Sequence, residues 1–312
     1  MGFQIKWIEL GNEFNMIKSI GRTKFQSPRD YGIACFNWTK KLKQTFPGVE
    51  VGVIGGNKKY ASEMNSWNSD VLNAASNVDA IVGHFYPLPK DVVKDDGVDF
   101  ESVYSSFKKE FDDDGFNDIN HKKIWITEYN ILWAYVKPGP EGQAMQKYAW
   151  TWGQVLSTLL MTSESTDLPG DPQMIIIHGL ANWHGFASAE ERNGKVYMLP
   201  TGIGLRAWDQ ACHNKTSFRQ ISFKQGGSEA KDYEVLGWQF KGSGEETNLI
   251  VNLTSSPIQI DLTALGSTGK THYSLKYADK NKTINSWEDV TYERKELKGN
   301  DIELPPYSIA TL

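Results

Sequence analysis

The chain has 312 residues, 39% of them apolar and 23% charged, with a formal net charge of -5. That length holds two domains or one large one, and the composition excludes disordered, collagen-like and disulfide-scaffold classes. The acidic balance, without a clustered Lys/Arg stripe, speaks against nucleic acid as a partner. No apolar run approaches the ~18 residues that would span a bilayer, so no membrane partner is expected.

From residue 4 to about 213 short apolar strands alternate with amphipathic helices. Gln4–Leu10 reads as a strand. "SPRDYGIACFNWTKKLKQTF" reads as a helix, with Ser27 as N-cap and Pro28 in its first turn. "VEVGVIGG" is the second strand, "YASEMNSWNSDVLNAAS" a helix and "VDAIVGHFYP" the third strand. Phe100, Val103, Tyr104, Phe107 and Phe111 recur at helical spacing, and "KKIWITEYN" is the fourth strand. Met145, Tyr148, Trp152, Val155, Leu156 and Leu159 mark another helix before "MIIIHGLANWHGF", a fifth strand with its loop. Strands apolar on both faces and joined by helical crossovers imply a parallel sheet.

Beyond about residue 218 the pattern becomes one of alternating strands and turns. Leu249, Val251 and Leu253 alternate with polar residues, as do Ile258, Ile260 and Leu262, and "DIELPPYSIATL" closes the chain. The expectation is an all-β antiparallel sandwich over residues 216–312, following an α/β domain over 1–215. Cys35 and Cys212 lack the spacing of a zinc site and read as small buried hydrophobes. The opening "MGFQIKWIEL" lacks the apolar core of a signal peptide. A leader would lie upstream, which leaves location open between cytoplasm and secretion.

A doubly wound sheet would carry a glycine fingerprint after its first strand, and "GVIGGN" lacks the third glycine. Asn12, Glu13, His84, Glu128 and Asn182 instead fall at the C-terminal ends of four different strands, the face on which barrel enzymes build their sites. Glu13 and Glu128 are 115 residues apart over three βα units, roughly 38 per unit, an ordinary barrel repeat. Two carboxylates on one rim suit acid/base or nucleophilic chemistry at a glycosidic bond. No Asp/His cluster accompanies them at ligand spacing, so neither metal nor cofactor is expected. Eleven Trp and thirteen Tyr fit large cores and also stacking on sugar rings.

"ELGNE" before a helix, with "ITEYN" three strands later, resembles the retaining glycoside hydrolases of clan A, in particular families 51, 39 and 79. The resemblance implies a carbohydrate substrate and a double-displacement mechanism, as in an arabinofuranosidase or xylosidase acting on plant or algal poly- or oligosaccharide. It makes Glu13 the general acid/base and Glu128 the nucleophile. Asn12 would bind the hydroxyl beside the anomeric carbon. Tyr86 would orient Glu128, with His84 and Asn130 completing the polar side of the site. Trp183 would form the floor of the sugar pocket. Because the acid/base residue ends barrel strand four in that clan, this chain would be a partial (β/α)8 TIM barrel, strands four to eight, followed by the sandwich.

Five strands alone leave open edges, so the resemblance implies either a truncated hydrolase or an oligomer or partner covering the edge. The isolated chain is then expected to be inactive or very weak. An endo-acting hydrolase of the same clan and a non-catalytic carbohydrate-binding fragment are the alternatives. In the latter, Trp238 and Trp287 would stack on sugar, while Trp133 would line an outer subsite of an enzyme.

Overall fold

The computed structural model describes residues 4–16, 23–56, 66–119, 122–133, 139–170, 172–181, 187–225, 228–242, 244–265, 271–297 and 299–312. They fall into two compact units. One comprises Met1–Tyr86, Phe107–Asn130 and Glu164–His178; the other Pro87–Ser106, Ile131–Ser163 and Gly179–Leu312.

The first unit is built on a parallel sheet. In chain order the elements over residues 7–175 are β1 (Trp7–Leu10), α1 (Pro28–Thr45), β2 (Glu50–Ile54), α2 (Trp67–Ala74), β3 (Ala80–Phe85), α3 (Phe100–Asp113), β4 (Lys123–Tyr129), α4 (Trp152–Asp167) and β5 (Pro172–Ile175); the Phe100–Ser106 part of α3 and the Trp152–Ser163 part of α4 belong to the second unit. The five strands lie side by side in that same order. Among the described strands there is no reversal of order of the kind that creates a doubly wound sheet. Helix α1 begins where Ser27 and Pro28 place it. The Ser27 hydroxyl accepts from the Asp30 backbone N–H at 3.2 Å, and the Asp30 carboxylate accepts from the Ser27 N–H at 3.0 Å. This reciprocal cap satisfies two N–H groups that the first helical turn leaves orphaned.

The sheet buries both faces by a division of labour visible residue by residue. Leu10, Val51 and Val53 join Tyr31, Cys35 and Val71 in one apolar cluster that also takes in Trp125. Gly52 has a specific reason to be glycine: a Cβ there would come within 2.6 Å of the Trp125 ring. Farther along, Phe85 packs edge-on against Phe107 and Phe116, with Phe111 tilted beside them. Tyr31 has a second task. Its buried hydroxyl donates to the Leu10 carbonyl at 2.6 Å and accepts from the Ile54 N–H at 3.0 Å. It therefore ties together the C-terminal ends of β1 and β2, where the chain leaves the sheet.

One irregularity shapes the opposite pair. Strands β3 and β4 pair Gly83 with Ile126 and then His84 with Glu128, passing over Thr127. Such a bulge re-aims side chains at the end of a strand. Here it sets His84 directly beside Glu128 while Thr127 stays within reach.

The second unit contains helix α5 (Pro200–Cys212), which the sequence reading passed over, and an antiparallel region. Its strands are β6 (Ser217–Gln220), β7 (Val235–Gly242), β8 (Glu245–Asn252), β9 (Ile258–Asp261), β10 (His272–Tyr277), β11 (Thr291–Glu296), β12 (Asp301–Leu304) and β13 (Ser308–Thr311). Six form one sheet in the order β6-β7-β8-β13-β10-β11, and β9 pairs with β12 as a separate ribbon. Ile258, Ile260, Ile302 and Leu304 of the ribbon share a core with Ile250, Leu275 and Ala310 of the sheet. The ribbon follows the period-two alternation noted above, whereas in β8 it is Ile250, out of phase with Leu249, Val251 and Leu253, that enters this core.

Of the three tryptophans weighed for sugar contact, the structure places two in the core. Trp238 is buried and its indole N–H donates to Ser163 at 2.8 Å; Trp133 is fully buried and donates to Gln154 at 3.0 Å. Neither offers a face to a sugar, because a buried indole contributes more as core with its one N–H satisfied. Trp287 is half-buried, with the Lys276 and Arg206 cations 4.7 and 5.1 Å from its ring centre. No described helix is long and apolar enough to cross a membrane.

Replacing Tyr31 with Phe leaves the Leu10 carbonyl and the Ile54 N–H without their buried partner. The expected cost is about 1–3 kcal/mol, read as a lower urea midpoint with an unchanged slope. An unaltered midpoint would mean that the tie between β1 and β2 carries no stability.

Candidate active site

The motif "GNEF" begins one residue after β1 ends. Gly11 has φ +108°, and a Cβ on it would sit 2.6 Å from the Phe14 ring, so only glycine permits the chain to fold back there. Phe14 is the anchor of that turn: its ring lies 5.4 Å edge-on from Tyr31 and 5.8 Å from Phe25. Between the glycine and the anchor, Glu13 is held in the left-handed region at φ 50°. A non-glycine residue bears this strain only where its surroundings fix it. The side chain that results stands at the strand-end rim.

Three strand ends converge on it. Nδ1 of His84, at the end of β3, is 3.2 Å from Oε1 of Glu13 and 3.4 Å from Oε2 of Glu128, at the end of β4. The nearest imidazole and carboxylate atoms of the three all lie within 4.8 Å of one another. The His84 side chain is only 10% exposed, against 31% for Glu13 and 24% for Glu128. Tyr86 donates its hydroxyl to Oε2 of Glu128 at 2.6 Å. The Tyr86 backbone N–H is itself fixed by the Glu110 carboxylate, and its ring stands edge-on to His178 at 5.9 Å. A small recess beside Glu13 is lined by Glu13, Asn15, Gly55, His84 and Asp114, among others.

Two further groups belong to the cluster. Nε2 of His84 is 3.1 Å from the Thr127 hydroxyl, and Glu9 on β1 lies near enough to feel His84, Thr127 and Glu128. Burial raises the Glu9 carboxyl above its ordinary range; the charge on His84 and the Thr127 hydroxyl oppose that rise, and Glu128 adds to it. For His84, burial alone would lower the pKa. The hydrogen bond to Glu13 and the charges of Glu128, Glu9 and Glu13 outweigh it, and the imidazole ends above its usual value. Glu13, His84 and Glu128 present donors that a divalent cation could share. In the arrangement found, the imidazole nitrogen already stands between the two carboxylates and does the bridging such an ion would do.

Of the residues expected from sequence, Glu13, Glu128, His84 and Tyr86 come together in this cluster. Asn12 is exposed in the bend next to Glu13. Asn130 is fully buried just past β4, its backbone N–H donating to the Phe85 carbonyl at 3.4 Å. Trp183 and Asn182 lie outside the described residues. Sequence reasoning missed Glu9, Thr127 and His178. Glu9 had a signal: alternation sets it on the face opposite the buried Leu10 and the partly buried Ile8.

No family model matches the sequence, and no curated protein does. Solved structures do. A family 51 α-L-arabinofuranosidase from Bifidobacterium longum aligns with 97% of this chain and 66% of its own, at TM-score 0.67 and 16% identity. The GH51 α-L-arabinofuranosidase of Thermotoga petrophila aligns with 98% of this chain and 65% of its own, at TM-score 0.66 and 13% identity. A β-porphyranase of family 86 from Bacteroides plebeius aligns with 98% and 55%, at TM-score 0.57 and 12% identity. The fold is glycoside hydrolase-like. At these identities the likeness is one of fold, and the chain spans just under two thirds of the length of the first two relatives.

The raised His84 pKa has a signed consequence. Stability that comes from the imidazolium is present in full below the ordinary histidine value, about 6.5, and is lost as pH rises through the raised folded value. The difference in unfolding free energy between the wild type and His84→Gln should therefore be largest near pH 6 and shrink toward pH 9. Urea titrations at several pH values read it directly, and a pH-independent difference would contradict the charge assignment.

Proposed function

We propose that the chain is a retaining glycoside hydrolase of clan A type, comprising barrel strands four to eight over residues 1–215 and a β-sandwich over 216–312. The observation that carries this reading is the Glu13–Glu128 pair, carboxylate oxygens within 4.8 Å and bridged by His84. Retaining glycosidases hold their two carboxyls about 5–5.5 Å apart, whereas inverting enzymes leave ~6.5–9.5 Å for a water.

In the first half-reaction Glu128 attacks the anomeric carbon while Glu13 gives its proton to the leaving oxygen, forming a glycosyl ester. In the second, Glu13 takes a proton from water as that water attacks the same carbon, and Glu128 leaves as carboxylate. Tyr86 holds the Glu128 oxygen it donates to, which aims the other oxygen at the sugar. Asn12 binds the hydroxyl next to the anomeric carbon. The substrate class is a pentoside of the arabinofuranoside or xyloside kind.

The partial barrel is supported by the sheet's free borders. β1 and β5 each pair on one side among the described strands. Ile5 and Trp7, at alternate positions with Glu9, are 45% and 54% exposed, and Ile176 beyond β5 is 47% exposed. Apolar side chains on an unpaired edge fit a sheet that continues into further strands.

A single-turnover assay tests the chemistry without demanding fast turnover. After prolonged incubation with activated 2-fluoro-arabinofuranosyl or 2-fluoro-xylosyl donors, the intact chain should gain one glycosyl mass with one of them. The rate should fall about 100-fold or more in Glu128→Gln. Absence of an adduct with either donor, or equal labelling of the variant, would overturn the reading.

A further inference from the structure

The antiparallel unit holds a pair of cations to which the proposed hydrolysis gives no task. In β10, Tyr273 and Leu275 enter the core shared with the ribbon, so alternation sends Lys276 to the other face of the sheet. Its cross-strand neighbours there are Ile309 on β13, 1% exposed, and Tyr292 on β11, 59% exposed. Lys276 therefore stands where that face passes from buried to open, and it is itself only 7% exposed. Its Nζ lies 4.7 Å from the centre of the Trp287 ring and 5.9 Å from that of Tyr292. Arg206 of α5 brings its guanidinium to 5.1 Å from the centre of the same indole.

A cation taken out of water is ordinarily paired with a carboxylate or hydrogen-bonded. Neither Lys276 nor Arg206 has an ion-pair or hydrogen-bond partner among the described residues. Acids close to them in sequence are engaged elsewhere. Asp209 faces His213 at 3.9 Å, the Asp289 carboxylate accepts from the N–H groups of Asn285 and Ser286 at 2.7 and 3.1 Å, and Glu293 pairs with Lys295 at 3.2 Å. The aromatic rings answer the positive charge through their negative faces. They do not satisfy the three N–H donors of the ammonium or the five of the guanidinium. Burial and then the Arg206 charge lower the Lys276 ammonium below the ordinary lysine range. An oxyanion beside them would relieve the repulsion between the two cations and accept from the donors of both.

We propose that Lys276, Arg206 and Tyr292 form a binding site for an acidic sugar, a pyranose carrying a carboxylate or a sulfate group. The oxyanion sits against the ammonium and the guanidinium, and the apolar face of the sugar lies on the exposed surface of Tyr292. Trp287 holds the two cations side by side. The sugar as carrier of the anion rests on the hydrolase reading, while the anion itself rests on the cations alone. The site holds an acidic unit of the same polysaccharide, and no step at Glu13 or Glu128 depends on it.

The test is a 1H–15N NMR titration of the whole chain at constant ionic strength, following the Trp287 indole N–H, assigned with Trp287→Phe. The probes are methyl glucuronide, a glucose sulfate monoester, neutral methyl glucoside and inorganic sulfate. At least one acidic sugar should give a saturable shift and bind about 10-fold or more tighter than the neutral glucoside and than inorganic sulfate. Which of the two does so assigns the anion as carboxylate or sulfate. Lys276→Met and Arg206→Gln should each weaken that sugar about 10-fold or more. Arg206 is exposed, so its variant keeps the fold. Tyr292→Ala should weaken the sugar and leave inorganic sulfate unchanged. Absence of a saturable shift with either acidic sugar, or unchanged binding in Arg206→Gln, would overturn the site; inorganic sulfate bound as tightly as the acidic sugars would overturn the sugar. Binding here without a glycosyl adduct at Glu128 removes the hydrolase reading and leaves the site standing; the adduct without binding does the reverse.

Discussion

Two carboxylates held within 4.8 Å repel each other, and the His84 imidazole between them is what makes that proximity sustainable. The geometry of the first unit serves this contact. Gly11 and Phe14 turn the chain sharply enough to hold Glu13 at the rim, and the Tyr31 hydroxyl keeps the ends of β1 and β2 together beneath it. On the other side, the bulge between β3 and β4 sets His84 opposite Glu128. Loss of any of these would leave the residues present and the arrangement gone.

Much of this was legible in the sequence, for physical reasons that can be named. Ser27, Pro28 and Asp30 announce the start of α1 because capping is a local matter of N–H groups and short polar side chains. Apolar runs located the five parallel strands because both faces of the sheet are buried. Glu13, His84 and Glu128 stood out as polar groups ending apolar runs, and Tyr86 entered through the resemblance. What escaped depends on contacts between distant segments. A bulge leaves no local mark, so nothing in "ITEYN" showed that Thr127 would be passed over in the pairing. Glu9 sits inside a run read as a plain strand, and Thr127, whose hydroxyl it feels, lies 118 residues away. Residue type alone left Trp133 and Trp238 open between sugar stacking and the core, and Gln154 and Ser163 satisfy their indole N–H groups in the interior.

The likeness to solved hydrolases at 12–16% identity is consistent with the same division. Burial on two faces of a sheet constrains apolarity and volume rather than identity, so the fold outlasts the sequence. A site is less tolerant. Its chemistry depends on individual atoms, and fold alone transfers none of it. The case for hydrolysis therefore stands on Glu13, His84, Glu128 and Tyr86 themselves, and on the contacts among them.

The most direct measurement is the configuration of the product when methanol competes with water as acceptor for an activated pentoside. A methyl glycoside does not mutarotate, so NMR reads its anomeric centre at leisure even when turnover is slow. Two carboxyls this close leave no room for water to attack from the opposite face, and the account requires a methyl glycoside of retained configuration. A product of inverted configuration would contradict it.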